Sequence, residues 1–471
     1  MAMLIRPAPL ELDPDHPFRF DKLGREESAT LLTSLVERAQ APFVLAIDSK
    51  WGNGKTTFIQ MWKAHLVKNG FCCLYFNAWQ TDFVIDPLVS IIAEIDSQIE
   101  WELIPPEYRN KAQKYFDRAV KAAGTLVRQA APAAVSIAGI SLAGTGPVGT
   151  VLTGAAQNIA KKKVKEYETE KKALKSFKER LSKSIALIRS SGSTKGKSIV
   201  FFIDELDRCR PSFAIELLER VKHVFDIEGI VFVLAIDRVQ LGHSIGAIYG
   251  AGLDADGYLR RFIDLHYRLP DPPRDLFPVF LFNQFKIPDL LKQLNPQVSL
   301  TTHRLTIDWF SGLAEIFELS LRKQEQIFSE LSLMIAMGTR DDAEDCPLIA
   351  ALLALRAHRE ELYANVIVGH ITVEKLLEYI KSKAHGEAFL NSDSGTELEA
   401  WFLGMFRDVF KDSTAKQIEQ KYKEMESNND TPEPVKRRAS TICYMLRAWK
   451  FPHQMVSRIK KRIAISGRFA T

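Results

Sequence analysis

Hydrophobic residues fall into two textures along this chain. Some form short unbroken runs that end in polar turns; others recur every three or four positions. The run Val44-Leu45-Ala46-Ile47 stops at the polar turn from Asp48 to Asn53, as expected for a strand buried on both faces of a parallel sheet. Phe58, Ile59 and Trp62 then recur at helical spacing over 54–66. Cys72-Cys73-Leu74-Tyr75-Phe76 predicts a second strand and 87–99 a second helix. Two further strands are predicted at Ile199-Val200-Phe201-Phe202-Ile203 and at Ile230-Val231-Phe232-Val233-Leu234-Ala235-Ile236. Between them Pro211 opens a helix, at the one helical position that needs no N–H, with Ile215, Leu218, Val221 and Val224 on its faces. Strands alternating with helices predict an α/β fold, a doubly wound parallel sheet.

Between the second and third strands the pattern breaks for roughly a hundred residues, a long helical insertion. Its first part, 105–128, reads as an amphipathic helix. The stretch 129–160 has no charged residue and is dominated by Ala, Gly, Val, Ile and Thr. The stretch 161–183 is densely charged, with Glu and Lys at helical pair spacing. Beyond Pro270 the chain reads as almost wholly helical, punctuated by loops at Asn391 to Gly395 and Asn428 to Pro434. The resulting division is a nucleotide domain in two parts, 17–104 and 198–273, an insertion at 105–197, and an all-helical C-terminal region at 274–471.

The polar turn after the first strand carries the chemistry. Ser49-Lys50-Trp51-Gly52-Asn53-Gly54-Lys55-Thr56 fits the P-loop pattern, with Ser49 where the first glycine is expected. A glycine-rich turn lets backbone N–H groups converge on phosphates, and the helix behind it adds its positive end. The cofactor-binding set is therefore Trp51, Gly52, Asn53, Gly54, Lys55, Thr56 and Thr57. Lys55 is expected to reach the β- and γ-phosphates of ATP and Thr56 to ligate Mg²⁺. The third strand delivers Asp204-Glu205 to its C-terminal tip. There Asp204 is expected to hold Mg²⁺ through its waters, and Glu205 to act as general base on the attacking water. The same carboxylates also fit an N-cap cluster ahead of Pro211. Asp237, at the tip of the fourth strand, is expected to sense the γ-phosphate; a capping carboxylate is the other reading.

Composition adds little against this. A chain of 471 residues with 46% hydrophobic and 26% charged residues is ordinary for globular domains. A net charge of +5 does not by itself indicate a nucleic-acid partner. The five cysteines have no metal-ligand spacing and read as reduced thiols. No basic start followed by an apolar core marks a secretory signal, so a cytoplasmic location is expected.

In order along the chain stand Asp21-Lys22-Leu23-Gly24-Arg25, KWGNGKTTF, Phe76-Asn77-Ala78-Trp79, FFIDELDRCRP, VLAIDR and GYLRRFIDLHYRLP ending at Pro270. This ordered set, spanning about 17–335, resembles the KAP family of P-loop NTPases, related to the STAND and AAA-type ATPases. Where that family usually has paired aspartates, this chain has Asp204-Glu205. The resemblance implies ATP hydrolysis coupled to conformational change or assembly, in a homo-oligomer and with a partner effector protein. It implies a switch or motor, and its bacterial members point to antiviral defence. It also implies that Arg25 lines the nucleotide base, that Arg260 and Arg261 supply an arginine finger in cis or in trans, and that Arg322 is a sensor arginine. A surface role for Arg260 and Arg261 stays open.

Some members of that family carry membrane helices between the two phosphate motifs, where 129–160 lies. This stretch is poor in Leu and Phe and broken by Gly144-Thr145-Gly146-Pro147, so a transmembrane hairpin does not fit. Close packing on protein or disorder, and contact with a membrane surface, which would place the chain peripheral to the inner membrane, remain the two readings. The C-terminus interleaves Lys436-Arg437-Arg438, Arg447, Lys450, Arg458, Lys460-Lys461-Arg462 and Arg468 with Trp449 and Phe451, either a nucleic-acid face or a solvated helix surface. Two alternatives to the ATPase are an ATP-gated scaffold with negligible turnover and a membrane-associated signalling ATPase.

Overall fold

The computed structural model describes residues 12–19, 21–38, 42–84, 86–130, 149–191, 196–250, 252–270, 276–449 and 453–466. The chain divides into two compact units, one formed by Arg25–Pro270 with Glu11–Asp21, the other built on Asp271–Thr471.

The first unit is a five-stranded, wholly parallel sheet. Its elements are α1 (Glu26–Arg38), β1 (Phe43–Asp48), α2 (Lys55–Lys68), β2 (Cys73–Asn77), α3 (Pro87–Gln98), α4 (Pro106–Ala130), α5 (Gly149–Ser190), β3 (Ile199–Asp204), α6 (Pro211–His223), β4 (Ile230–Ile236), α7 (Arg238–Tyr249), α8 (Ala255–Leu259) and β5 (Leu265–Arg268). The strand order is β2-β3-β4-β1-β5. Every residue of β3 and β4 is buried, which is why both read as continuous apolar runs. Side chains alternate between two cores. Leu45, Ile47, Val200, Phe202, Val231 and Val233 pack with Phe58, Ile59 and Trp62 of α2 and Leu32 of α1. Val44, Ala46, Phe76, Phe201, Ile203 and Phe232 pack with α3, α6 and α7 on the other face. Helices on both faces make the sheet doubly wound, as the alternation predicts.

The fifth strand was not anticipated. β5 pairs parallel with β1, Leu45 opposite Leu265 and Asp48 opposite Arg268, yet three of its four residues are exposed. A short polar edge strand gives neither an apolar run nor a clean alternation. Arg260 and Arg261 therefore precede the last strand of the sheet, in the turn after α8.

The insertion is a pair of long helices. α4 and α5 pack antiparallel: the Ser184 hydroxyl donates to the Ala112 carbonyl (2.8 Å) and Arg180 to that of Arg118 (3.0 Å). Phe116, Phe177, Leu181 and Ile185 join the sheet core. The textures 129–160 and 161–183 do not mark an element boundary, because α5 runs unbroken through the change for 42 residues, about 63 Å. Residues 131–148, and the side chains of 128–130 and 149–160, fall outside the described residues, and with them the two readings of the uncharged stretch. Among the described residues no helix is long and apolar enough to cross a membrane.

The second unit is helical throughout its described residues. Its axis is the helix Cys346–His358, in which every residue from Cys346 to Leu355 is buried. A helix apolar all round sits at the centre of its bundle. The expected loop at Asn391 to Gly395 is instead a helix start: Ser392 accepts from the Gly395 N–H (3.1 Å) and caps Asp393–Asp408. Small polar residues serve loops and N-caps alike. The stretch from Asn428 to Pro434 likewise runs into the helix Glu433–Ala448, with Pro434 in its first turn.

Candidate functional site

The site lies where β1, β3 and β4 end together on one edge of the sheet. Their parallel register sets Asp48 against Ile236 and Asp204 against Ala235, so the loops after all three strands converge. After β1 the chain turns through Gly52 (φ 80°) and Gly54 (φ 74°), left-handed conformations that favour glycine. Ser49 is not among the residues with positive φ, so the position of the missing glycine tolerates a Cβ. Its N–H donates to the Ile236 carbonyl (3.2 Å), tying the loop to β4.

α2 begins at Lys55 with Gly54 as its N-cap, no side chain caps it, and its first turn holds no acidic residue. The donors at a helix start remain for an anion, reinforced by the helix dipole. Thr56 and Thr57 are exposed on this first turn, whereas Lys55 is buried, its ammonium donating to the Ser49 carbonyl. Burial lowers the Lys55 pKa, and Asp207, Asp237, Asp204 and Asp48 together pull it back up.

The carboxylates are distributed by role. Asp204, 1% exposed, bonds to the Thr56 hydroxyl and accepts from the Tyr75 hydroxyl (3.0 Å). Burial raises its pKa against these bonds. Asp237 accepts from the Trp51 N–H (2.9 Å) and, as N-cap of α7, from Val239 and Gln240. It thus caps a helix and fastens the P-loop at once. Asp207 accepts from the Trp51 indole and from the Asp237 N–H (3.1 Å), and burial pushes its pKa up. Among the described residues no group of three or more His, Cys, Asp or Glu could hold a metal by itself. Mg²⁺ needs no such cage, since it keeps several waters and takes one or two protein ligands plus phosphate oxygens. Thr56 and Asp204 fit that pattern.

Glu205 adopts a left-handed backbone, φ 60° and ψ 25°, costing about 1–2 kcal/mol for a residue with a Cβ. Its carboxylate pairs with Arg208 (2.7 Å) and accepts from the Asn77 amide (3.1 Å). The Arg208 guanidinium lies 5.7 Å from the centre of the Trp79 ring. Asn77 and Trp79 are part of the sequence stretch 76–79, but nothing in its pattern announces what they touch.

Arg25 is 1% exposed, and its guanidinium donates to the carbonyls of Asn53 (2.7 Å) and Gly54 (3.1 Å). It braces the loop by its backbone. The family resemblance implies that Arg25 lines the nucleotide base; its bonds to main-chain carbonyls leave no trace in sequence. Arg260 and Arg261 are exposed, the latter 5.7 Å from the Tyr258 ring centre. Arg322 is exposed near the start of Leu321–Ala336, in the second unit. Of the basic C-terminal residues, Arg458 and Arg462 pair with Asp341, Asp342 and Asp345, Arg447 with Glu426 and Arg438 with Glu399.

Among known proteins, the chain is 30% identical over 186 residues to an uncharacterized protein of Methanocaldococcus jannaschii, a match covering 35% of this chain and 89% of that protein. Two solved structures are similar at 13% identity. The Aeropyrum pernix ORC2 protein, in ADPNP and ADP complexes, matches over 99% of this chain and 97% of its own with a TM-score of 0.33. The Aeropyrum pernix ORC1 protein in complex with DNA matches over 96% and 87% with a TM-score of 0.27. At such scores neither bears on the fold or the site. The family model for the KAP family P-loop domain matches residues 25–339, which include the phosphate loop, Asp204-Glu205 and Asp237, and the chain belongs to that family.

Proposed function

We propose that this chain binds ATP with Mg²⁺ at the P-loop and hydrolyses it. One observation carries the reading: a single buried lysine sits among four aspartates at an uncapped helix start. The donors suit phosphates, and the surplus of carboxylate suits a divalent cation arriving with them. In this proposal the loop N–H groups and Lys55 hold the phosphates, and Thr56 and Asp204 hold Mg²⁺, which screens the phosphate charge. Glu205 takes the proton of the attacking water. Glu205→Gln is expected to retain ATP binding while turnover falls roughly 10²–10³-fold. Full turnover in that variant overturns the assignment.

A second reading, an ATP-gated scaffold with negligible turnover, is favoured by the Glu205 carboxylate being held by Arg208 and Asn77. Wild-type turnover no faster than that of Glu205→Gln would select it.

We also propose that Arg260 and Arg261 complete the site of a second copy, since both are exposed beside the strand that flanks β1. Mixing Arg260→Ala/Arg261→Ala with Lys55→Ala is expected to restore part of the activity; no rescue refutes the idea. For Arg322 the proposal is a sensor role, which unchanged turnover in Arg322→Ala would remove. The family resemblance further supports a switch or motor in a multi-protein assembly serving antiviral defence. Affinity purification with and without a non-hydrolysable ATP analogue tests this, and an identical set of co-purifying proteins would count against it.

A further inference from the structure

The charge of this protein is concentrated in the inserted helical pair. Residues 106–190 hold seventeen Lys and Arg against six Asp and Glu, a net +11, whereas the whole chain carries +5. The remainder is therefore net negative, an asymmetry that composition over the full length conceals.

The basic residues are ordered on the surface. On α4, Lys111, Lys114, Arg118 and Lys121 are all exposed. At about 100° per residue they fall within roughly 80° of one helix face. On α5, Lys161, Lys165, Lys172 and Lys183 are exposed and share a sector of roughly 40°, extending about 33 Å. Glu168 and Glu179 interrupt that sector and Glu107 lies one turn before the α4 stripe; lysines and arginines still prevail on both helices. The seam joins the two stripes: Arg180 of α5 donates to the Arg118 carbonyl (3.0 Å), and the Lys183 ammonium lies 5.7 Å from the Tyr115 ring centre. The opposite faces, with Ala112, Phe116, Ala119, Phe177, Leu181 and Ile185, are anchored in the sheet core.

We propose that this basic face of α4 and α5 binds the phosphate backbone of duplex DNA without regard to sequence. Its extent, about 33 Å, matches one turn of a B-form duplex. Lysine predominates, suited to charge neutralisation more than to bidentate base reading. The exposed large apolar side chains of the two helices, Val120, Val164 and Tyr167, lie outside the basic sectors, so a polyanion without an apolar interior fits better than a membrane. Four of the C-terminal arginines, Arg438, Arg447, Arg458 and Arg462, are by contrast already paired with carboxylates. The inference does not depend on ATP hydrolysis.

The test uses the full chain and a fluorescein-labelled random-sequence DNA duplex of about 30 base pairs, roughly three helical turns, titrated by anisotropy across a salt series. Wild type is expected to bind. Lys111→Ala/Lys114→Ala/Arg118→Ala/Lys121→Ala is expected to bind more weakly, with the slope of log affinity against log salt shallower by about three to four. Helix content by circular dichroism checks its fold. Should it misfold, Lys114→Ala and Arg118→Ala singly are expected to reduce the slope by about one each. Lys460→Ala/Lys461→Ala is expected to bind as wild type does. The proposal is overturned if wild type does not bind the duplex, or if the α4 variants keep the wild-type slope. It also fails if only the Lys460/Lys461 variant loses binding. Retention on phosphatidylserine–phosphatidylcholine vesicles without DNA binding would overturn it in favour of a membrane surface.

Discussion

Buried charge is handled in opposite ways in the two compact units. In the helical unit the strong clusters pair arginines with carboxylates of the same unit. Glu399, 2% exposed, accepts from Arg438 and from the Tyr422 hydroxyl (2.7 Å), while Arg438 also donates to Asn391. Arg458 and Arg462 meet Asp341, Asp342 and Asp345. These networks pin the helices Asp393–Asp408, Ser413–Ser427, Glu433–Ala448 and His453–Ser466 to their neighbours. Around the P-loop the charges do not close. One lysine faces four aspartates, Asp204 and Asp207 are pushed toward protonation by burial, and a helix start has no capping side chain. A cluster completed within the chain stabilises a fold; one left unbalanced is the usual mark of a site that a ligand completes.

Truncating a charge therefore has different consequences in the two places. Lys55→Ala is expected to weaken ATP binding roughly 10³-fold or more, because it removes the main positive charge from the phosphates. Its thermal unfolding without nucleotide should change far less. Equilibrium binding with a fluorescent ATP analogue decides the matter, and wild-type affinity in this variant would break the comparison at its functional end.

Arg438→Ala should do the reverse. It strands a buried carboxylate with a single hydroxyl donor, a loss of about 3 kcal/mol or more of stability. Denaturant unfolding of the helical unit should shift accordingly, with ATP affinity unchanged. A variant as stable as wild type would show that the closed network contributes nothing measurable to the fold.

The same contrast explains what the sequence revealed. β1, β3 and β4 were legible because strands buried on both faces are written as unbroken apolar runs, each ending in a polar residue at the sheet edge. The phosphate loop and Asp204-Glu205 followed, since their chemistry depends on residue type at fixed spacing. Arg25 and Asn77 act through particular partners, the Asn53 and Gly54 carbonyls and the Glu205 carboxylate. Only the fold brings those partners together. β5 escaped because its edge position lets Leu265, His266 and Arg268 remain exposed. The continuity of α5 was hidden by a change of composition that has no backbone counterpart.

The smallest expected effect comes from Asp345, a member of the closed network that is not fully compensated. Burial raises its pKa, and the ion pair with Arg458 pulls it only partway back, leaving it at about 6. Asp341 and Asp342 add repulsion from their side, while Arg462 reaches Asp342. An unfolded aspartate titrates near 3.9, so between about pH 4 and pH 6 the folded protein binds the proton more tightly than the unfolded chain. Stability from this group is accordingly greatest below about pH 4, declines as the pH rises through 6, and is constant above. The full change is about 3 kcal/mol, of which roughly half falls between pH 5 and pH 7. Asp204 and Asp207, also raised by burial, contribute trends of the same sign, so the measurement is a difference. Denaturant midpoints at pH 5 and pH 7 are compared between wild type and Asp345→Asn, which cannot titrate. Wild type should lose more stability than the variant on going to pH 7. Equal losses would mean that Arg458 holds Asp345 ionised throughout, and that this network is as fully balanced as the one around Glu399.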